Sequence, residues 1–123
     1  MYTTQENVRI VISLLKEYNI HHIVLNPGGT NIPIVQAVQD DSYFHCYSVP
    51  DERSAMYFAI GIYLQTGELV AVSCTSAQAT RNYIPGLTEA FYKHAPIWQS
   101  LRPSWSVSSI KIICKLPTKC RYL

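Results

Sequence analysis

A chain of 123 residues with a net charge of +2 has the length for one domain built around a single core. No apolar run approaches the about 20 residues that cross a membrane, and Met1–Glu6 lacks the basic start and apolar core of a signal peptide, so a cytosolic location is expected. All eight acidic residues lie at or before Glu89, while five of the ten basic residues lie at or after Arg102, so nothing before residue 96 reads as a nucleic-acid face.

In chain order, Thr3-x-x-Glu6 fits a capping box. It opens a helix to about Tyr18, with Val8, Val11, Ile12, Leu15 and Tyr18 at helical spacing. His22-Ile23-Val24-Leu25 reads as the first strand and ends at Asn26-Pro27-Gly28-Gly29-Thr30-Asn31, a loop of breakers. Pro33 suits the first turn of a second helix, Ile34 to Gln39. Tyr43 to Val49 reads as the second strand. Asp51 or Glu52 starts a third helix with Ala55, Phe58, Ala59 and Ile62 on one face, closed by Gly67. Leu69 to Cys74 is a third strand, apolar enough to be buried on both faces. A fourth helix is expected from about Ala77 to His94, kinked at Pro85, and Pro96-Ile97 begins a fourth strand.

Helix and strand alternate with short connections, which predicts an α/β fold: a three-layer sandwich with a central parallel sheet and helices on both faces. Ligands of such sheets bind beyond the carboxyl ends of the strands. The loops at Asn26 to Asn31, Pro50 to Ser54 and Thr75 to Asn82 are expected to meet there.

The pattern stops after Ile97. Trp98 to Trp105 does not read as the continuation of a buried strand, and the one short apolar run beyond it is Ile110 to Cys114. Residues 1–97 therefore read as the domain and residues 98–123 as a basic tail. Neither Cys46, Cys74, Cys114 and Cys120 nor His21-His22 has metal-ligand spacing. The cysteines on predicted strands read as core residues in a reducing compartment.

Taken alone, each candidate loop has two readings. Pro27-Gly28-Gly29-Thr30 is either a tight turn or a cradle for an anion or planar ring; it lacks the dinucleotide fingerprint and the P-loop lysine. Asp51-Glu52 is either a carboxylate pair held by a helix dipole or part of a ligand site. A Ser-His-Asp set or a G-x-S-x-G elbow is not discernible.

Three segments taken together resemble one family. They are Val24 to Pro33, Val49-Pro50-Asp51-Glu52-Arg53-Ser54-Ala55, and Cys74-Thr75-Ser76-Ala77 followed by Asn82-Tyr83-Ile84-Pro85. In order and spacing they are similar to the N-terminal pyrimidine-binding (PYR) domain of thiamine-diphosphate-dependent enzymes, nearest to the SEPHCHC synthases of menaquinone biosynthesis. The resemblance covers about residues 5–97 and implies thiamine diphosphate as cofactor. It implies that Glu52 hydrogen-bonds a ring nitrogen of the aminopyrimidine, promoting the imino tautomer that takes the thiazolium proton. Pro27, Gly28 and Gly29 match the pyrimidine side, and Thr75, Ser76 and Asn82 match the third loop of that site.

The resemblance also implies a 2-oxo-acid decarboxylating or carboligating enzyme. The chain departs from the family at Thr30, where the menaquinone enzymes carry arginine, and at Ala77, where they carry glycine. The family's diphosphate-binding (PP) domain, which holds Mg2+, has no counterpart here. The chain alone is therefore expected to be inactive, with a PP domain or second subunit as partner and a homodimer in the intact family. Alternatives are the small subunit of a split decarboxylase and a non-catalytic α/β binding module in which Glu52 only caps its helix. Deleting one G from codons for a family-like Ile-Val-Ala-Ile-Thr gives Ile-Trp-Gln-Ser-Leu, so a one-base frameshift after Ile97 is the expectation for the tail.

Overall fold

A computed structural model describes residues 5–100 and 111–113. The elements are α1 (Glu6–Glu17), β1 (His22–Leu25), a 3-10 turn (Gly29–Asn31) running into α2 (Ile32–Gln39), β2 (His45–Ser48) and α3 (Glu52–Thr66). β3 (Val70–Ser73), α4 (Ala77–Arg81), α5 (Ile84–Tyr92), β4 (Ile97–Ser100) and β5 (Lys111–Ile113) follow. The strands form one sheet in the order β2-β1-β3-β4-β5. Its first four strands are parallel, and β5 pairs antiparallel with β4.

The sandwich expected from the sequence follows from strand alternation. Val24, Val70, Val72 and Ile97 face one way, against Ala55, Met56, Ala59 and Ile60 of α3 and Ala90 of α5. Ile23, Leu25, Ala71 and Trp98 face the other way, against Val8 and Leu15 of α1 and Ile34, Ala37 and Val38 of α2. All four β3 residues are buried, as a strand covered on both faces requires. Cys74 is buried and Cys46 half-buried; both are free thiols.

Four details differ from the sequence reading. α1 is capped by Gln5 without a side-chain hydrogen bond, and Thr3 of the expected capping box lies outside the described residues. The inward face of α3 is Ala55, Met56, Ala59 and Ile60, whereas Phe58 is exposed. The expected fourth helix is two helices; Pro85 lies in the first turn of α5, where its missing N–H costs nothing, so the helix restarts there instead of kinking. The fourth strand continues through Trp98 and Gln99, which are buried because β4 is flanked by β3 and β5. The polar Gln99 hides this from a hydrophobic pattern, since a sheet hydrogen-bonds through its backbone whatever the side chain. Readings that fall on residues 101–110 and 114–123 lie outside the described residues.

Among the described residues no helix is long and apolar enough to cross a membrane.

Candidate functional site

The parallel register brings three strand ends to one level. Leu25 pairs with Ser48 on one side and Ser73 on the other. The loops after β1, β2 and β3 therefore leave the sheet side by side. The chain order reverses between β1 and β3, the place where open α/β sheets leave a crevice for ligands.

The first and third loops touch directly. A Cβ on Gly28 would sit 1.9 Å from Cγ2 of Thr75, so only glycine allows this approach. Thr30 Oγ1 donates to the Thr75 carbonyl at 2.7 Å. Gly29 has open space where a side chain would begin. Pro27 and Gly29 are exposed, and Gly28 is half-buried.

The second loop delivers Glu52. Asp51 has extended backbone and caps α3, its Oδ2 accepting from the Ser54 N–H at 2.8 Å. That hydrogen bond, aided by the Ser54 side chain, holds the Asp51 carboxyl below its ordinary value. With Asp51 as cap, Glu52 becomes the first helical residue. Its position is one helical repeat ahead of Ala55 and Met56, on the inward face of α3. Its half-buried carboxylate has no hydrogen bond or ion pair among the described residues.

Beneath Glu52 lie Cys74 and Tyr83, both close enough to feel its charge. Burial, reinforced by Cys74 and Glu52, pushes the Tyr83 phenol far above its ordinary value. Burial likewise raises the Cys74 thiol. Both groups therefore stay neutral, and Tyr83 keeps a hydroxyl hydrogen to donate. It donates that hydrogen to Asn26 Oδ1. Asn26 Nδ2 donates to the Val49 carbonyl at 2.5 Å. Asn31 Nδ2 donates to the Asn26 carbonyl at 3.1 Å, and Ser73 Oγ donates to Asn31 Oδ1 at 2.9 Å. Asn26, Asn31, Ser73 and Tyr83 are all buried.

The remaining candidates stand at the rim. Thr75 is half-buried, and Ser76 is the exposed cap of α4, its Oγ accepting from the Ala79 N–H at 3.5 Å. Asn82 is exposed at the C-terminal cap of α4, next in the chain to Tyr83. The structure thus brings Gly28 against Thr75, sets Glu52 close enough to Cys74 and Tyr83 to act on them electrostatically, and puts Asn82 at the C-terminal end of α4. Asn26, Asn31, Ser73 and Tyr83 join the site without a motif of their own in the sequence. The available signal is the position of Asn26 and Ser73 at strand ends. No group of three or more His, Cys, Asp or Glu among the described residues could hold a metal ion.

Residues 6–98 match the family model described as thiamine pyrophosphate enzyme, N-terminal TPP binding domain. The chain belongs to this family. It is 45% identical over 97 residues to the 2-succinyl-5-enolpyruvyl-6-hydroxy-3-cyclohexene-1-carboxylate synthase of Phocaeicola vulgatus, covering 79% of this chain and 17% of that protein. The corresponding synthase of Bacteroides thetaiotaomicron is 42% identical over 97 residues, covering 79% of this chain and 18% of that protein. The chain thus spans under a fifth of the curated relatives it matches.

Two solved structures share the fold. The thiamine diphosphate-dependent 4-hydroxybenzoylformate decarboxylase of Rhodococcus jostii superposes with a TM-score of 0.66 at 24% identity, covering 76% of this chain and 17% of that one. The benzoylformate decarboxylase of Polynucleobacter necessarius gives 0.64 at 22% identity, covering 73% and 17%. Thiamine diphosphate is the cofactor of the family, and this N-terminal TPP-binding domain is the part of it that the chain represents.

Proposed function

We propose that the chain supplies the aminopyrimidine half of a thiamine diphosphate site, with Glu52 as its catalytic residue. The observation that carries this reading is the division of labour at the start of α3: Asp51 caps the helix, and the Glu52 carboxylate is left without a protein partner among the described residues. A carboxylate used only as a cap would bond the backbone as Asp51 does. The residues present fit the group. An unpartnered, half-buried carboxylate can accept a hydrogen from a protonated ring nitrogen, and its bond is strengthened where water is excluded. Pro27, Gly28, Gly29, Thr75, Ser76 and Asn82 would border the ring, small or polar enough for close approach.

When bound, the cofactor supplies a thiazolium that serves as electron sink for decarboxylating a 2-oxo acid. Glu52 holds the proton at the pyrimidine nitrogen, Gly28 and Thr75 fix the spacing of two loops, and the buried layer beneath excludes water. Mg2+ and the diphosphate would be held by a PP domain or second subunit, in a homodimer or a split enzyme. Exposed Phe58 and Leu64 on α3, with Ile84 and Phe91 on α5, support a protein partner. The chain alone is then a binding domain without turnover.

The test is thiamine binding to the chain by titration calorimetry. Replacing Glu52→Gln should weaken binding by about tenfold or more, the worth of one charge-assisted hydrogen bond. Unchanged affinity would mean that Glu52 does not contact the ring.

A further inference from the structure

We propose that Tyr83 is a positioning residue for Glu52, acting through Asn26 and the Val49 carbonyl. The inference rests on the reading that Glu52 meets the pyrimidine ring.

Val49 lies three residues ahead of Glu52, where β2 gives way to the loop before α3. Both of its backbone groups are held by β1 or the residue that follows it. The Val49 N–H donates to the Leu25 carbonyl at 3.0 Å, and the Val49 carbonyl accepts from Asn26 Nδ2 at 2.5 Å. Only Pro50 and Asp51 then separate this clamped point from Glu52, and Asp51 is itself fixed by its cap to Ser54. The freedom left to Glu52 is therefore set by where Asn26 holds Val49.

Asn26 can hold that carbonyl only if its amide faces the right way. An asparagine amide presents N–H on one side and oxygen on the other, and a flip exchanges them. The Val49 carbonyl can only accept and so takes Nδ2, and Tyr83 braces the amide in that orientation from its other side. The Tyr83 hydroxyl donates to Asn26 Oδ1. The backbone of Asn26 is fixed separately, since its N–H donates to the Ser73 carbonyl at 2.9 Å and its carbonyl accepts from Asn31. Tyr83 stands just ahead of α5, 57 positions from Asn26. The network thus ties the chain that delivers Glu52 to the β1 end and to the α4–α5 junction. A phenylalanine at position 83 would fill the same core space and lose the hydroxyl that braces the amide and also meets the Cys74 thiol.

The experiment compares thiamine with its deaza analogue, in which the ring nitrogen facing a carboxylate is replaced by C–H. The ratio of the two affinities, measured by ligand-observed NMR on the chain, reads the carboxylate–nitrogen bond alone. A general loosening of the fold weakens both ligands and leaves the ratio unchanged. Tyr83→Phe should reduce the ratio by about threefold or more, and Glu52→Gln by about tenfold. Asn26→Ser, which deletes the amide itself, is the second variant and should act in the same direction. Trimethylamine N-oxide, excluded from protein surfaces, keeps the variants folded during measurement. A wild-type ratio near one, or a ratio that Glu52→Gln leaves unchanged, overturns the proposed function and this inference with it. A ratio that Glu52→Gln collapses while Tyr83→Phe and Asn26→Ser leave it within about twofold overturns the positioning role alone.

Discussion

Gly28 and Thr75, from loops at the ends of neighbouring strands, approach so closely that a Cβ on Gly28 would lie 1.9 Å from the threonine methyl and 3.2 Å from its Cβ. The glycine is required by this contact and not by its backbone, which at φ 170 is extended and open to any residue. Gly28→Ala should therefore destabilise the chain by about 1–3 kcal/mol, as overpacking does. Thr75→Ser removes the methyl that meets the new Cβ, so the double variant should recover most of the loss. Denaturant unfolding of the four chains checks this; additive losses would mean that the two loops are not coupled here.

A second close approach joins α5 to α3. A Cβ on Gly86 would lie 2.2 Å from Met56 Cγ and 2.7 Å from Met56 Cβ. Alanine gains up to about 1 kcal/mol over glycine in a helix interior, which opposes the clash. The clash should win. Met56 is buried, and its Cβ cannot rotate away as a side-chain tip could, so the helices must separate. Gly86→Ala is expected to lower stability by about 1–2 kcal/mol after the propensity gain, read as a drop in the denaturant midpoint.

What the sequence could reveal tracks how local each signal is. The first strand is legible to the residue, His22–Leu25, because an apolar β-branched run stops at Asn-Pro. Gly67 closes α3 in the left-handed region at φ 73, a position that favours glycine. The spacing of α3 puts Phe58 with the inner residues, but the helix carries Tyr57, Phe58 and Leu64 on its outside, so no polar stripe marks the boundary. Gln99 and Trp98 look unlike a strand until β5 covers the sheet edge. The candidate site divides the same way. Glu52 and Gly28 stand out in short motifs, whereas the bond from Tyr83 to Asn26 joins residues 57 apart and leaves no local trace.

The cap of α3 gives a pH dependence with a defined sign. Asp51 has a depressed carboxyl in the folded chain, first because it accepts the Ser54 N–H. Its contribution is present above the unfolded carboxylate range near about 4 and is lost as pH falls through the lower folded value. Asp41 behaves alike, lowered first by its bond to Lys16, at 2.6 Å, and then by the Tyr43 N–H. Asp51→Asn keeps a neutral cap but not the charge that favours a helix N-terminus. The wild type should be the more stable at pH 7, and the gap to Asp51→Asn should close as pH drops below about 4. A gap that widens in acid would contradict the assignment.

Cys74 offers a probe of whether the layer beneath Glu52 stays closed. Its thiol is buried, and burial raises it above the ordinary cysteine value, with a smaller push from Glu52. Cys46 is also raised by burial but is only half-buried. Alkylation needs both access and a thiolate, so iodoacetamide at neutral pH should find Cys74 slower than Cys46, and slower by about 100-fold or more than in denaturant. Peptide mapping after timed labelling separates these two sites from Cys114 and Cys120. Both reactions should quicken with rising pH, since thiolate is the reacting form. Tyr83→Phe should leave Cys74 protected, because the thiol stays buried in the same core cluster. Rapid labelling of Cys74 in the wild-type chain would mean that the floor under Glu52 opens freely, and that a fixed carboxylate cannot be what orders a bound pyrimidine.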